Sequence, residues 1–104
     1  STGSTEVRDY IRLNADAVEA AITHSPIDSF ARRHVLVMVG FAGLGLNPSP
    51  AIALREQAGI AVNDGKTLGA DYADWGSFNL ACSHETIAEM IDRVLALVAG
   101  GRLG

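Results

Sequence analysis

Between Ala58 and Cys82 the sequence reads AGIAVNDGKTLGADYADWGSFNLAC, which constrains the fold more than any other stretch. Two short β-prone runs, Ile60 to Val62 and Gly76 to Cys82, flank a loop with turn points at Asn63, Gly65 and Gly69. A helix follows at once. Ser83 is placed to cap it, Glu85 falls in its first turn, and Ile87, Ile91, Val94, Leu95 and Val98 make its apolar stripe. Gly100-Gly101 stops it. Strand, loop, strand and amphipathic helix in that order require a sheet with helices laid against it.

The preceding residues supply the rest of both layers. Val7, Tyr10, Ile11, Val18, Ala21 and Ile22 recur at helical spacing, with Ser4 or Thr5 as cap and Glu6 in the first turn. Ser25-Pro26 closes that helix, because a residue before proline avoids the α region. His34 to Phe41 is a continuous apolar run that reads as a strand with both faces covered. Asn47-Pro48-Ser49-Pro50 announces a second helix, capped by Ser49 with Pro50 in its first position and closed by Gly59. The sum is an α+β two-layer sandwich of about three strands with helices packed on one face. Residues 1–5 read as a loose leader or cloning junction, 6–99 as a single domain and 100–104 as a tail.

A chain of 104 residues is one domain. Its net charge of -4, with seven arginines and one lysine scattered, argues against nucleic acid as the ligand. Cys82 is the only cysteine, so no internal disulfide forms, which fits a cytoplasmic protein. No apolar run reaches the ~18 residues of a membrane span, and the first residues do not read as a signal peptide.

The chemistry-bearing residues mostly have plain explanations. Lys66 beside Asp64 and Gly65 reads as a solvated loop lysine, not a nucleophile. Gly65-Lys66-Thr67 fails the phosphate-loop spacing and lacks the helix that should follow. Gly40, Gly43 and Gly45 after a strand, with Asp64 ending the next, outline a nucleotide site, but residues 47–50 separate those glycines from the helix start. Cys82 and His84 read as a small buried thiol and a capping-turn histidine. His24, His34 and His84 lack zinc-ligand spacing, and Asp71-x-x-Asp74 lacks the alternating ligands of a calcium loop, so no metal site is supported. Tyr72 and Trp75 form a loop pair suited to packing against a partner or shaping a pocket.

Tyr10-Ile11-Arg12-Leu13-Asn14, Leu36 through Leu46, Val62-Asn63-Asp64-Gly65 with Leu68-Gly69, and Asn79-Leu80-Ala81-Cys82 form an ordered set of motifs. Together, over roughly residues 6 to 99, they resemble the small C-terminal domain of fold-type-I pyridoxal-phosphate (PLP) enzymes. The resemblance is to the MalY/PatB-type C–S lyases, of which cystathionine beta-lyase is one, and their aminotransferase relatives. It implies a domain that closes over the cofactor cleft and positions an amino acid or related substrate, with Ser77, Asn79 and Asn63 nearest that small molecule. It implies PLP held mainly by a large domain of the same enzyme, which carries the cofactor lysine, and assembly as a homodimer. It also implies no catalytic residue, bound cofactor, nucleic acid or membrane for this chain alone. Ser77 stands where the family has the arginine that grips the substrate carboxylate. Two other readings remain: a stand-alone, non-catalytic interaction module derived from that domain, and a nucleotide-binding module using Gly40, Gly43, Gly45 and Asp64.

Overall fold

The computed structural model describes residues 2–100. The chain runs α1 (Thr2–Thr23), β1 (Ser29–Arg33), β2 (Leu36–Gly40), α2 (Pro50–Ala58), β3 (Asn63–Asp64), two 3-10 turns (Gly65–Leu68 and Ala70–Tyr72), β4 (Trp75–Asn79) and α3 (His84–Val98). The strands form one antiparallel sheet in the order β1-β2-β4-β3. This is an α+β sandwich.

Where local chemistry is strong, the expected boundaries hold. Ser49 Oγ accepts from Ile52 N–H with Pro50 in the first turn, and Gly59 closes α2 at φ 67. Ser83 Oγ accepts from Thr86 N–H to cap α3. Ser25 accepts from Ile27 N–H and donates to Ile22 O, so the Ser-Pro pair closes α1.

Three expectations need correction. Helix α1 begins at Thr2, so Ser4 and Thr5 lie within helical backbone rather than capping it. The run His34 to Phe41 is not one strand from its first residue. His34 and Val35 form a two-residue turn with His34 at φ 54, and before them SFARR is an additional edge strand. Its half-exposed, arginine-rich composition hides the alternation. Finally, Ile60 to Val62 lies outside the ladder, which begins at Asn63. Arg55 donates to Val62 O and Arg93 to Ala58 O, so side chains take carbonyls in this stretch that a neighbouring strand could have paired.

One sheet face and all three helices share the core. Val37, Val39, Phe78 and Leu80 meet Ala15, Val18 and Ile22 of α1, Ala51 and Leu54 of α2, and Ile87, Val94 and Leu97 of α3. A fully buried side chain of the Leu or Phe class contributes about 1.5–3 kcal/mol, so Leu54, Leu80 and Phe78 anchor the sandwich. Along α1 Ile11 packs against this core, whereas Val7 and Leu13 are 59% and 53% exposed.

Candidate functional site

Strand alternation sends Ser77 and Asn79 to the face opposite the core. A Cβ on Gly76 would point at Val62 and Phe41, which places Gly76 on the core side and its neighbour Ser77 on the second face. Asn63 pairs directly with Ser77, and Met38 lies on the other side of the same rung. Asn79 shares the next rung with Leu36 and Arg33. The three residues singled out from sequence therefore share one face, with Ser77 buried at its centre and both asparagines exposed.

Their bonding differs. Asn79 Oδ1 accepts from Ala81 N–H at 2.8 Å, so its carbonyl holds the turn into α3 while its amide Nδ2 has no acceptor among the described residues. Ser77 is 4% exposed, and no buried side-chain nitrogen or oxygen among the described residues lacks a partner, so its hydroxyl is not an orphaned group. Asn79 also borders an open groove of about 390 Å³ between α3 and the Gly59–Ala61 segment, with Thr86 and Met90 in its wall.

The Asn-Asp-Gly turn beside this face is fixed by its own backbone. Asp64 Oδ1 accepts from Lys66 N–H at 2.9 Å and starts the first 3-10 turn. A Cβ on Gly65 would stand 2.1 Å from Tyr72 O and 2.6 Å from Trp75 O, so the loop's far end folds back where only glycine fits. Tyr72 and Trp75 pack edge to face at 5.7 Å. Trp75 lies over Gly40, where a Cβ would meet the indole at 3.2 Å and Ser29 Cβ at 2.7 Å. Close packing thus explains Gly40.

Other candidates separate. Gly43 and Gly45 sit in the connection to α2, and β4 lies between β2 and β3, so the sheet lacks the adjacent parallel strands of a dinucleotide site. Asp64 is committed to its turn. Lys66 is exposed. His84 stacks on Tyr10 at 4.0 Å, and its Nδ1 bonds Asn14 Oδ1. The Cys82 thiol donates to Asn79 O at 3.5 Å, and burial pushes its pKa up, against a reactive thiolate. Among the described residues no three histidine, cysteine or acidic groups gather as a metal site. No helix among them is long and apolar enough to cross a membrane.

Sequence reasoning gave no structural role to two features. The first is structural: Asn14, 1% exposed, donates to Leu80 O at 2.8 Å and Cys82 O at 3.0 Å, while Tyr10 Oη accepts from His84 N–H at 3.0 Å. The Tyr-x-x-x-Asn spacing thus ties one face of α1 to the end of β4 and the start of α3. The second is Arg33, which became visible only once SFARR was a strand; the signal was its alternation with Arg32.

No family model matches the chain. Over 63 residues it is 32% identical to cystathionine beta-lyase of Corynebacterium glutamicum, a match covering 61% of this chain and 17% of that protein. Among solved structures, a PLP-dependent beta-cystathionase of Corynebacterium diphtheriae superposes with a TM-score of 0.80 at 26% identity, over 91% of this chain and 26% of that one. An aromatic aminotransferase of Pyrococcus horikoshii superposes with a TM-score of 0.84 at 14% identity, over 99% of this chain and 28% of its own, which shows the shared fold. The chain spans between a sixth and about a quarter of these proteins' length. The resemblance to a small domain of fold-type-I PLP enzymes is borne out.

Proposed function

We propose that the chain is the substrate-positioning small domain of a cytoplasmic, homodimeric PLP-dependent C–S lyase, with aminotransferase as the second reading. The observation that carries it is the gathering of Asn63, Ser77 and Asn79 on one sheet face, in a fold shared with a beta-cystathionase. In this reading that face closes over a cleft in a larger domain and holds an amino-acid-like molecule in place. Positioning of this kind lowers the barrier by removing freedom before reaction. Asn63 and Asn79 are exposed to meet a ligand, and the glycine-locked turn keeps Asn63 in register with Ser77.

PLP would supply the electron sink for the bond cleavage. The residues present do not fit as its holder. A cofactor-binding lysine belongs in a dry pocket, whereas Lys66 is exposed on a 3-10 turn. The larger domain would hold the cofactor, and this chain alone would not catalyse. The exposed apolar side chains of α1, Val7 and Leu13, together with Val35 of the β1–β2 turn, support contact with that domain. A stand-alone interaction module would use the same surface.

The test is a chimera in which this chain replaces the matching segment of the C. glutamicum cystathionine beta-lyase. The expected result is thiol release from a carbon–sulfur amino acid, well above the level of the lyase truncated at the junction. A folded chimera that binds PLP and releases no thiol overturns the lyase reading; amino-group exchange without thiol release selects the aminotransferase.

A further inference from the structure

The N-terminal half of α1 and the tip of the β1–β2 hairpin enclose a groove, and we propose that it seats an acidic amphipathic helix of the larger domain. The proposal deepens the reading above and rests on it only for where that helix comes from.

The groove is open and holds about 480 Å³. Helical spacing builds one wall. Val7, Ile11 and Ala15 recur at intervals of four, and Arg8 and Arg12 repeat the interval one position on. That stretch of helix rises ~12 Å, about two turns, so the wall matches a helical partner of similar length. The hairpin tip supplies the other wall with Arg32, His34 and Val35. Packing falls away along α1: Ala15 is buried, Ile11 is half-buried and Val7 is exposed. Val35, on the opposite wall, is exposed as well. Exposed valines on both walls of one groove mark an apolar seat that a partner covers.

Charge names the partner. Three arginines and a histidine line the groove and no aspartate or glutamate does, in a chain whose net charge is -4. Arg32 is already paired, with Asp16 and Glu19 at 2.6 Å each. Arg12 reaches Asp9 only at 3.5 Å, with both side chains more than half exposed. Arg8 has no ion-pair partner among the described residues. Free positive charge therefore runs beside the Val7–Ile11 stripe. A helix with apolar residues at i, i+4 and i+7 sets them on that stripe, and its flanking carboxylates meet Arg8 and Arg12. A second copy of this chain does not fit. A two-fold contact pairs the groove with itself, and no acid lines it to answer the arginines. The larger domain is the source, because the chain spans only part of the proteins it matches. Val35 also adjoins Leu36, which shares a rung with Asn79, so a body that covers the second sheet face reaches the hairpin tip too.

The test uses the 104-residue chain and a fluorescein-labelled helical peptide of leucine, alanine and glutamate, followed by anisotropy. The peptide carries leucine at i, i+4 and i+7 with glutamate beside them. Saturable binding is expected, weaker as salt rises, with amide shifts moving at Val7, Ile11 and Val35. Arg8→Glu with Arg12→Glu should weaken it at least tenfold; both positions are exposed, so the fold is kept. Val7→Ser should weaken it several-fold. Arg33→Gln should leave it unchanged, since alternation turns that exposed arginine to the other sheet face. A peptide with lysine at every glutamate position should not saturate. Absence of saturation, equal binding of the lysine peptide, or binding that survives the double reversal overturns the proposal. The C. glutamicum chimera identifies the occupant: with the larger domain in the groove, the chimera should no longer take the peptide. A chimera that releases thiol yet binds the peptide like the free chain overturns this proposal and leaves the lyase reading standing. A folded chimera that releases no thiol and excludes the peptide does the reverse.

Discussion

Asn14 and Asn79 serve the same strand end in opposite ways. Asn14 commits its whole amide inside the protein: two carbonyls accept from Nδ2, and Oδ1 faces His84 Nδ1. Because that oxygen only accepts, the histidine must carry its proton on Nδ1. Asn79 commits half. Its carbonyl holds the turn and its amide finds no acceptor among the described residues. Saturation marks a structural group, since any vacancy in a buried network carries a desolvation cost. An unmatched donor on an exposed side chain carries little cost in water and is free for a ligand. The two asparagines thus divide the molecule into an end that is tied shut and a face that stays open.

The largest expected effect breaks the tied end. Asn14→Leu leaves the carbonyls of Leu80 and Cys82 without their donor, and each unsatisfied buried group costs about 1–3 kcal/mol. A loss of about 3 kcal/mol in urea unfolding is expected, against less than about 1 kcal/mol for Asn79→Ala, which removes one exposed turn bond. Equal losses would erase the distinction between the two residues.

Next comes the turn that borders the open face. Gly65→Ala must push back the carbonyls of Tyr72 and Trp75, which are backbone and cannot swing aside. Such overpacking costs about 1–3 kcal/mol, and the amide shifts of Asn63 and Ser77 should move with it. Unchanged shifts at both would mean that the turn does not set the register of the face.

A smaller effect separates the paired arginine from its free neighbour. Arg32→Gln breaks two surface ion pairs and should cost about 0.5–1 kcal/mol, less at high salt. Arg33→Gln should leave the urea midpoint within about 0.5 kcal/mol. A stability loss at Arg33 equal to that at Arg32 would give it a structural partner and close the open face.

How much of this was legible in the sequence follows from where each signal lives. Caps are local, so Ser49, Gly59 and Ser83 could be read directly. The small-domain fold was legible through ordered motifs, and the shared face of Asn63, Ser77 and Asn79 follows from strand alternation. Strand β1 was not, because an edge strand needs only one covered face and SFARR offers only Phe30 as a large apolar residue. With β1 went Arg33, whose interest depends on which face it takes. The start of the β3 ladder was shifted because Arg55, one helix earlier, takes the carbonyl of Val62. Tyr10 and Asn14 were visible as a motif, but their tie to His84 spans 74 and 70 residues, which no local pattern encodes.

The smallest predicted effect lies at Cys82, the residue that touches both asparagines. Its carbonyl accepts from Asn14 and its thiol donates to the carbonyl of Asn79. Burial raises the thiol pKa in the folded chain because the thiolate would lose hydration there. In the unfolded chain the thiol has its ordinary, lower value. The resulting stabilisation is fully present below that unfolded value and is lost as pH rises through the folded one. Alkylation by iodoacetamide should therefore reach half its limiting rate at a higher pH in the native chain than in urea. In Asn14→Leu, which loosens the turn carrying Cys82, the native midpoint should move down toward the unfolded one. If it stays in place, burial of the thiol is set by the Asn79 side alone, and the turn is held from the open face rather than from the tied end.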